Sequence, residues 1–71
     1  MAAAEARDAI LAALPDDEAA VAEQEVFAAA GVSRTTGRRV IAELLAAGVL
    51  AQRGTGRRND PRRFWRLARP E

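Results

Sequence analysis

Gly31-Val32-Ser33-Arg34-Thr35-Thr36-Gly37-Arg38-Arg39-Val40-Ile41-Ala42-Glu43-Leu44-Leu45-Ala46-Ala47-Gly48-Val49-Leu50 carries the densest structural signal in this chain. Gly31 and Gly48 each follow a run of helix-forming residues, where a left-handed C-terminal cap is expected. Ser33 is a favoured N-cap residue, so a helix is predicted from about Arg34 to Ala47. With Arg34 at 0° and about 100° per residue, Thr36, Gly37, Val40, Ile41 and Leu44 fall between about 200° and 340°. They form a core stripe. Thr35, Arg38, Arg39, Ala42 and Ala46 fall between about 40° and 140° on the same wheel. They form the free face, with Arg34 at its edge. Gly37 sits inside the core stripe, although glycine costs about 1 kcal/mol relative to alanine in a helix interior. A close approach by the preceding helix would offset that cost, and a neutral accident is the competing explanation.

Towards the N-terminus, residues 22–30 read as a short second helix, with Ala22, Val26, Phe27 and Ala30 as its buried stripe. Ala28-Ala29-Ala30-Gly31-Val32-Ser33 is then a tight turn, whose small residues let two helices cross closely. Residues 2–14 read as a first helix, with Ala3, Ala6, Ile10, Ala13 and Leu14 on one face and Leu11 at its border. Pro15 ends it, because the residue before a proline is pushed out of the α region. Asp16-Asp17-Glu18 forms a polar connection.

Towards the C-terminus the period changes after Gly48. Residues 49–53 read as a strand. Gly54-Thr55-Gly56 and Asn59-Asp60-Pro61 supply turn chemistry, and Arg63-Phe64-Trp65-Arg66-Leu67 reads as the returning strand. The hairpin therefore spans about residues 49–67. In its second strand Arg63, Trp65 and Leu67 alternate with Phe64 and Arg66. Trp65 is expected to close the core beneath the hairpin, and Phe64 to point to the other face.

Two short helices joined by a tight turn, followed by a hairpin, are the parts of a helix-turn-helix with a wing. Segment 31–50 resembles the recognition segment of bacterial winged-helix regulators. The likeness rests on the Gly31-Val32-Ser33 lead-in, the Ser33-Arg34-Thr35-Thr36 helix start, the spacing of Val40, Ile41 and Leu44, and the Gly48-Val49-Leu50 exit into a strand. It covers most of the chain. The stretch Gly54-Thr55-Gly56-Arg57-Arg58-Asn59-Asp60-Pro61 is also similar to wings of bacterial plasmid and mobile-element replication proteins. The expected fold is mainly α with a small β-hairpin: one three-helix winged helix-turn-helix domain over residues 1–71.

Composition narrows the function. A 71-residue chain is short enough to bury only about 60% of its unfolded surface. It contains neither cysteine nor histidine. Disulfides, zinc fingers and histidine-based catalysis are thereby excluded. No pair of carboxylates, Walker-type loop or activated nucleophile stands out, so no enzyme, metal or cofactor is expected. No apolar run approaches the roughly 20 residues that span a bilayer. The alanine-rich start is interrupted by Glu5, Arg7 and Asp8, unlike a signal peptide. A soluble, cytoplasmic protein without membrane contact is expected.

The net charge of +1 conceals strong polarity. Residues 1–31 carry one arginine against seven acids, a net of −6; residues 32–71 carry ten arginines against three acids, a net of +7. A basic half on one segment favours a polyanionic partner.

The resemblance implies double-stranded DNA as that partner. Arg34, Thr35, Arg38 and Arg39, together with Ser33 at the helix start, are the positions it places nearest bases or flanking phosphates. Arginine can bond bidentately to guanine O6 and N7, and threonine can meet the thymine methyl. The hairpin adds Arg53, Arg57, Arg58, Arg62 and Arg63, which would grip the flanking backbone or a narrow minor groove. The competing explanation is a set of arginines that only solvate the surface. A solvated face usually mixes signs, yet the first acid on the third helix is Glu43.

One feature opposes a standard DNA complex. Glu23, Gln24 and Glu25 open the second helix, where carboxylates would repel a nearby phosphate. The alternative function is a winged helix that docks a protein within a larger assembly, through the acidic half or the Phe64 face. A monomer is expected in isolation, whereas regulators of this kind pair on two-fold DNA sites.

Overall fold

A computed structural model describes residues 2–67. The element order is α1 (Ala3–Ala13), β1 (Val21–Ala22), α2 (Glu23–Ala30), α3 (Arg34–Ala46), β2 (Leu50–Arg53) and β3 (Arg63–Arg66). The fold is three helices with a small antiparallel sheet in the order β1-β3-β2. This arrangement is compatible with a winged-helix layout. Among the described residues, no helix is long and apolar enough to cross a membrane.

Local chemistry accounts for the helix ends. Leu14, at φ −98° and ψ 141°, is extended before Pro15, as the proline ring requires. The α2–α3 turn is a Schellman cap. Gly31 is left-handed at φ 68°, its N–H donates to the Ala28 carbonyl, and the Val32 N–H donates to the Phe27 carbonyl at 3.1 Å. The end of α3 repeats this motif: the Gly48 N–H donates to Leu45 O, and the Val49 N–H to Leu44 O at 3.0 Å. Such paired bonds satisfy carbonyls that the helix itself leaves free. At the other end of α3, the Ser33 Oγ accepts from the Thr36 N–H at 3.2 Å.

The three helices meet over Ala6, Ile10 and Leu14 of α1 and its end, Val26, Phe27 and Ala30 of α2, and Val40, Ile41 and Leu44 of α3. Leu50 and Phe64 close this core from the sheet. Gly37 is where the Phe27 ring of α2 packs onto α3: a Cβ built there would lie 2.3 Å from Phe27 Cε1. The glycine in the core stripe is thus required by close packing, and is not an accident.

Two sequence expectations fail here. First, Phe64 is fully buried and Trp65 only half-buried, the reverse of the expected assignment. Phe64 pairs with Gln52 on one side and Val21 on the other, while Leu50 pairs with Arg66. Leu50 and Phe64 therefore share the inner face, and Trp65, opposite Ala51, takes the outer one. Strand parity is all-or-none, so one buried partner decides it for the whole strand. The cost is an inward arginine, Arg66. It lies at the sheet end, where its guanidinium pairs with Asp16 and its backbone N–H donates to the Pro15 carbonyl at 2.8 Å. Second, Val21–Ala22 forms a third strand, β1, where the sequence assigns Val21 to no element and Ala22 to the second helix. The start of the second helix at residue 22 moves to Glu23.

Candidate nucleic-acid interface

The hairpin tip has its own hydrogen-bonded scaffold. Asp60 N–H donates to the Arg57 carbonyl at 2.9 Å, closing a turn over Arg57-Arg58-Asn59-Asp60. Gly56 N–H donates to the Asp60 carbonyl at 2.9 Å, and the Asp60 carboxylate accepts from the Thr55 N–H. Gly54, at φ 95°, passes so close to the returning chain that a Cβ would lie 2.3 Å from the Pro61 carbonyl oxygen. The tip therefore needs glycine there, and Asp60 braces the loop that displays Arg57 and Arg58.

Half of the candidate residues come together. Arg38 from α3 and Arg57, Arg58, Arg62 and Arg63 from the hairpin line one open groove of about 510 Å³, which residues 22–25 close on the α2 side. Arg34, Thr35 and Arg39 are exposed on the free face of α3, as the helical wheel predicts. Arg34 borders a second, smaller hollow with Glu23, Gln24 and Phe27. Ser33 spends its hydroxyl on the helix cap. Arg53 is directed elsewhere: its Nη2 donates to the Glu18 carbonyl, and it does not line the groove. Arg34, Arg39, Arg57, Arg58 and Arg63 form no ion pair among the described residues.

The residue whose partners the sequence does not reveal is Glu23. Its carboxylate, expected to repel a phosphate, is held by two arginines of the groove. Arg38 donates from both Nε (3.2 Å) and Nη2 (3.0 Å) to Oε1. Arg62 donates from Nη2 to Oε2 at 2.7 Å, and its guanidinium lies 5.6 Å from the Phe64 ring centroid, within cation–π range. Three charges of net +1 thus join α2, α3 and the hairpin. No local pattern could reveal this, because the partners lie 15 and 39 residues away. Glu25 is exposed and forms no ion pair among the described residues, so the repulsive feature is reduced and not removed.

Burial of Glu23 pushes its carboxyl pKa up. The hydrogen bonds and charges of Arg38 and Arg62 push it down and prevail, leaving it lower than usual. A depressed carboxylate stabilises the fold fully above the ordinary glutamate range, and that stabilisation is lost as pH falls through the folded-state value. Wild type should therefore lose more stability than Glu23→Gln between about pH 5 and pH 3, read as the shift of the urea midpoint. Parallel shifts of the two proteins would mean that the arginines do not hold this carboxylate in solution.

Compared with protein-family models, curated proteins and solved structures, the chain matches none. Fold and site are therefore the basis for its function.

Proposed function

We propose that this chain is a winged-helix protein that binds double-stranded DNA. In this reading α3 enters the major groove, and the β2–β3 hairpin lies as a wing on the flanking backbone or minor groove. The protein would act as a small transcriptional regulator, or as the DNA-contacting module of a replication or mobile-element protein.

The observation that carries the reading is the convergence of Arg38 with Arg57, Arg58, Arg62 and Arg63 on one concave surface. Two separate elements supply these cations, and only tertiary folding brings them together. A groove with one dominant sign of charge attracts a polyanion and accelerates its capture. Each phosphate neutralised releases counterions, so affinity should fall steeply with salt.

Fluorescence anisotropy with a random duplex of roughly 20 base pairs, at low and at moderate salt, tests the reading. Wild type should bind at low salt and release as salt rises. Arg38→Ala/Arg39→Ala should bind about tenfold or more weakly, as expected for loss of base or phosphate contacts. Absence of binding at low salt by a folded protein would overturn the proposal.

One observation favours a second reading, a protein-docking domain. Val49 and Leu67 are 36% and 43% exposed and adjacent, with the Leu67 N–H donating to the Val49 carbonyl at 2.9 Å. Phe64 cannot serve this purpose, since it is fully buried. A domain of this kind would show no salt-dependent affinity for DNA.

A further inference from the structure

We propose that Glu23 is a positioning residue that turns Arg38 into a reader of guanine. The inference rests on the DNA-binding reading above and specifies what one residue of that site recognises. Its basis is the way the two side chains divide the guanidinium.

A guanidinium has two edges that can make paired hydrogen bonds. One is the side edge, Nε with Nη2. The other is the end edge, Nη1 with Nη2. Arg38 gives its side edge to Glu23, with both donors converging on Oε1 at 3.2 and 3.0 Å. Nη1 has no partner among the described residues, and the Arg38 side chain is 47% exposed. What remains is the end edge, whose spacing matches guanine O6 and N7 in the major groove.

The hold on Arg38 is itself braced. Glu23 is only 19% exposed, and its second oxygen accepts from Arg62 at 2.7 Å. Arg62 in turn lies over the ring of Phe64, which is fully buried. A chain of contacts thus runs from the core to the guanidinium. A free arginine samples many rotamers and contacts phosphates and bases alike. One pinned along its side edge has lost that freedom before DNA arrives, so geometric selectivity is gained at little further entropic cost. Glu23 itself carries a negative charge near the DNA, which lowers affinity for any sequence. Selectivity for one base pair and a small loss of general affinity therefore share one cause.

The test is to select preferred duplexes from a random pool with wild type, and then exchange each base pair of the selected site in turn. Wild type should discriminate by about 10- to 100-fold at one G·C pair, the range of a good bidentate contact. Glu23→Gln should reduce that discrimination to about threefold or less, while its affinity for random duplex rises. A residue that served stability alone would not produce these opposite changes. Arg38→Lys keeps the charge but lacks the flat fork, and should lose the same discrimination with an unchanged salt slope. It reports on Arg38 even where Glu23→Gln folds poorly. If Glu23→Gln is folded and keeps full discrimination, or if Arg38→Lys does, the inference is wrong. If Arg38→Ala weakens all sequences equally and lowers the salt slope, Arg38 is a phosphate contact and the inference is equally wrong. Failure of folded wild type to bind any duplex at low salt would instead remove the DNA-binding reading, and this inference with it.

Discussion

Phe64→Ala should remove a large share of this chain's stability and move its urea midpoint far down. Phe64 is the largest of the fully buried side chains, ahead of Ile10, Ile41 and Val26. Truncating a buried phenylalanine costs about 3–5 kcal/mol, from lost transfer energy and from the cavity left behind. At about 0.05–0.15 kcal/mol per residue, a chain of this length has only roughly 4–10 kcal/mol in total. The site is poorly able to collapse, because Phe64 is fully buried in a core cluster that also holds residues of all three helices. The change also removes the ring beneath Arg62, and with it part of the brace on Glu23. Trp65→Ala is the informative contrast. Trp65 is the larger residue but sits half-buried on the outer face, so it should cost clearly less. Urea denaturation followed by circular dichroism measures both. A larger loss for Trp65→Ala than for Phe64→Ala would mean that the strand sits in the opposite parity.

The second large effect is expected at Gly37. A Cβ there would lie 2.3, 2.5 and 2.8 Å from Phe27 Cε1, Cδ1 and Cζ. Contacts this short force a shift, and the ring they meet is only 6% exposed with the core behind it. Valine adds two further methyl groups, and its small gain in helix propensity over glycine does not offset the clash. Gly37→Val should therefore destabilise by about 3 kcal/mol, at the upper end of the overpacking range. Phe27→Leu is destabilising alone but makes room, so the double variant should be more stable than the sum of the single losses implies. Additive losses in that double-mutant cycle would show that the two residues do not touch. The contact has a functional consequence. It sets how closely α2 crosses α3, and so the distance from Glu23 to Arg38. A variant that pries the helices apart should loosen the groove even where the domain remains folded.

Much of this architecture is local in origin and was legible in order along the chain. Pro15 ends α1, Gly31 and Gly48 end α2 and α3, and Ser33 starts α3. Each acts through its own backbone preference or through bonds spanning a few residues, which leave a readable trace. The helical wheel of α3 separated Val40, Ile41 and Leu44 from Arg38 and Arg39, because a helix fixes the angular order of its side chains. Gly37 in the apolar stripe left close packing and a neutral accident equally open, and the Phe27 ring against it decides for packing.

Three features had no such trace. The two residues of β1 are too few to show a period, and they are a strand only because β3 lies beside them. The parity of Phe64 and Trp65 depends on which residue of β2 faces the helices, so side-chain size was the wrong guide. Glu23 reads locally as a repulsive charge at a helix start. Folding brings Arg38 and Arg62 to it from two other elements and converts it into the hub of the groove. Caps and periodicities reside in the backbone of one segment. Strand pairing, parity and charge partners depend on which distant segments meet, and that is decided only when the core closes.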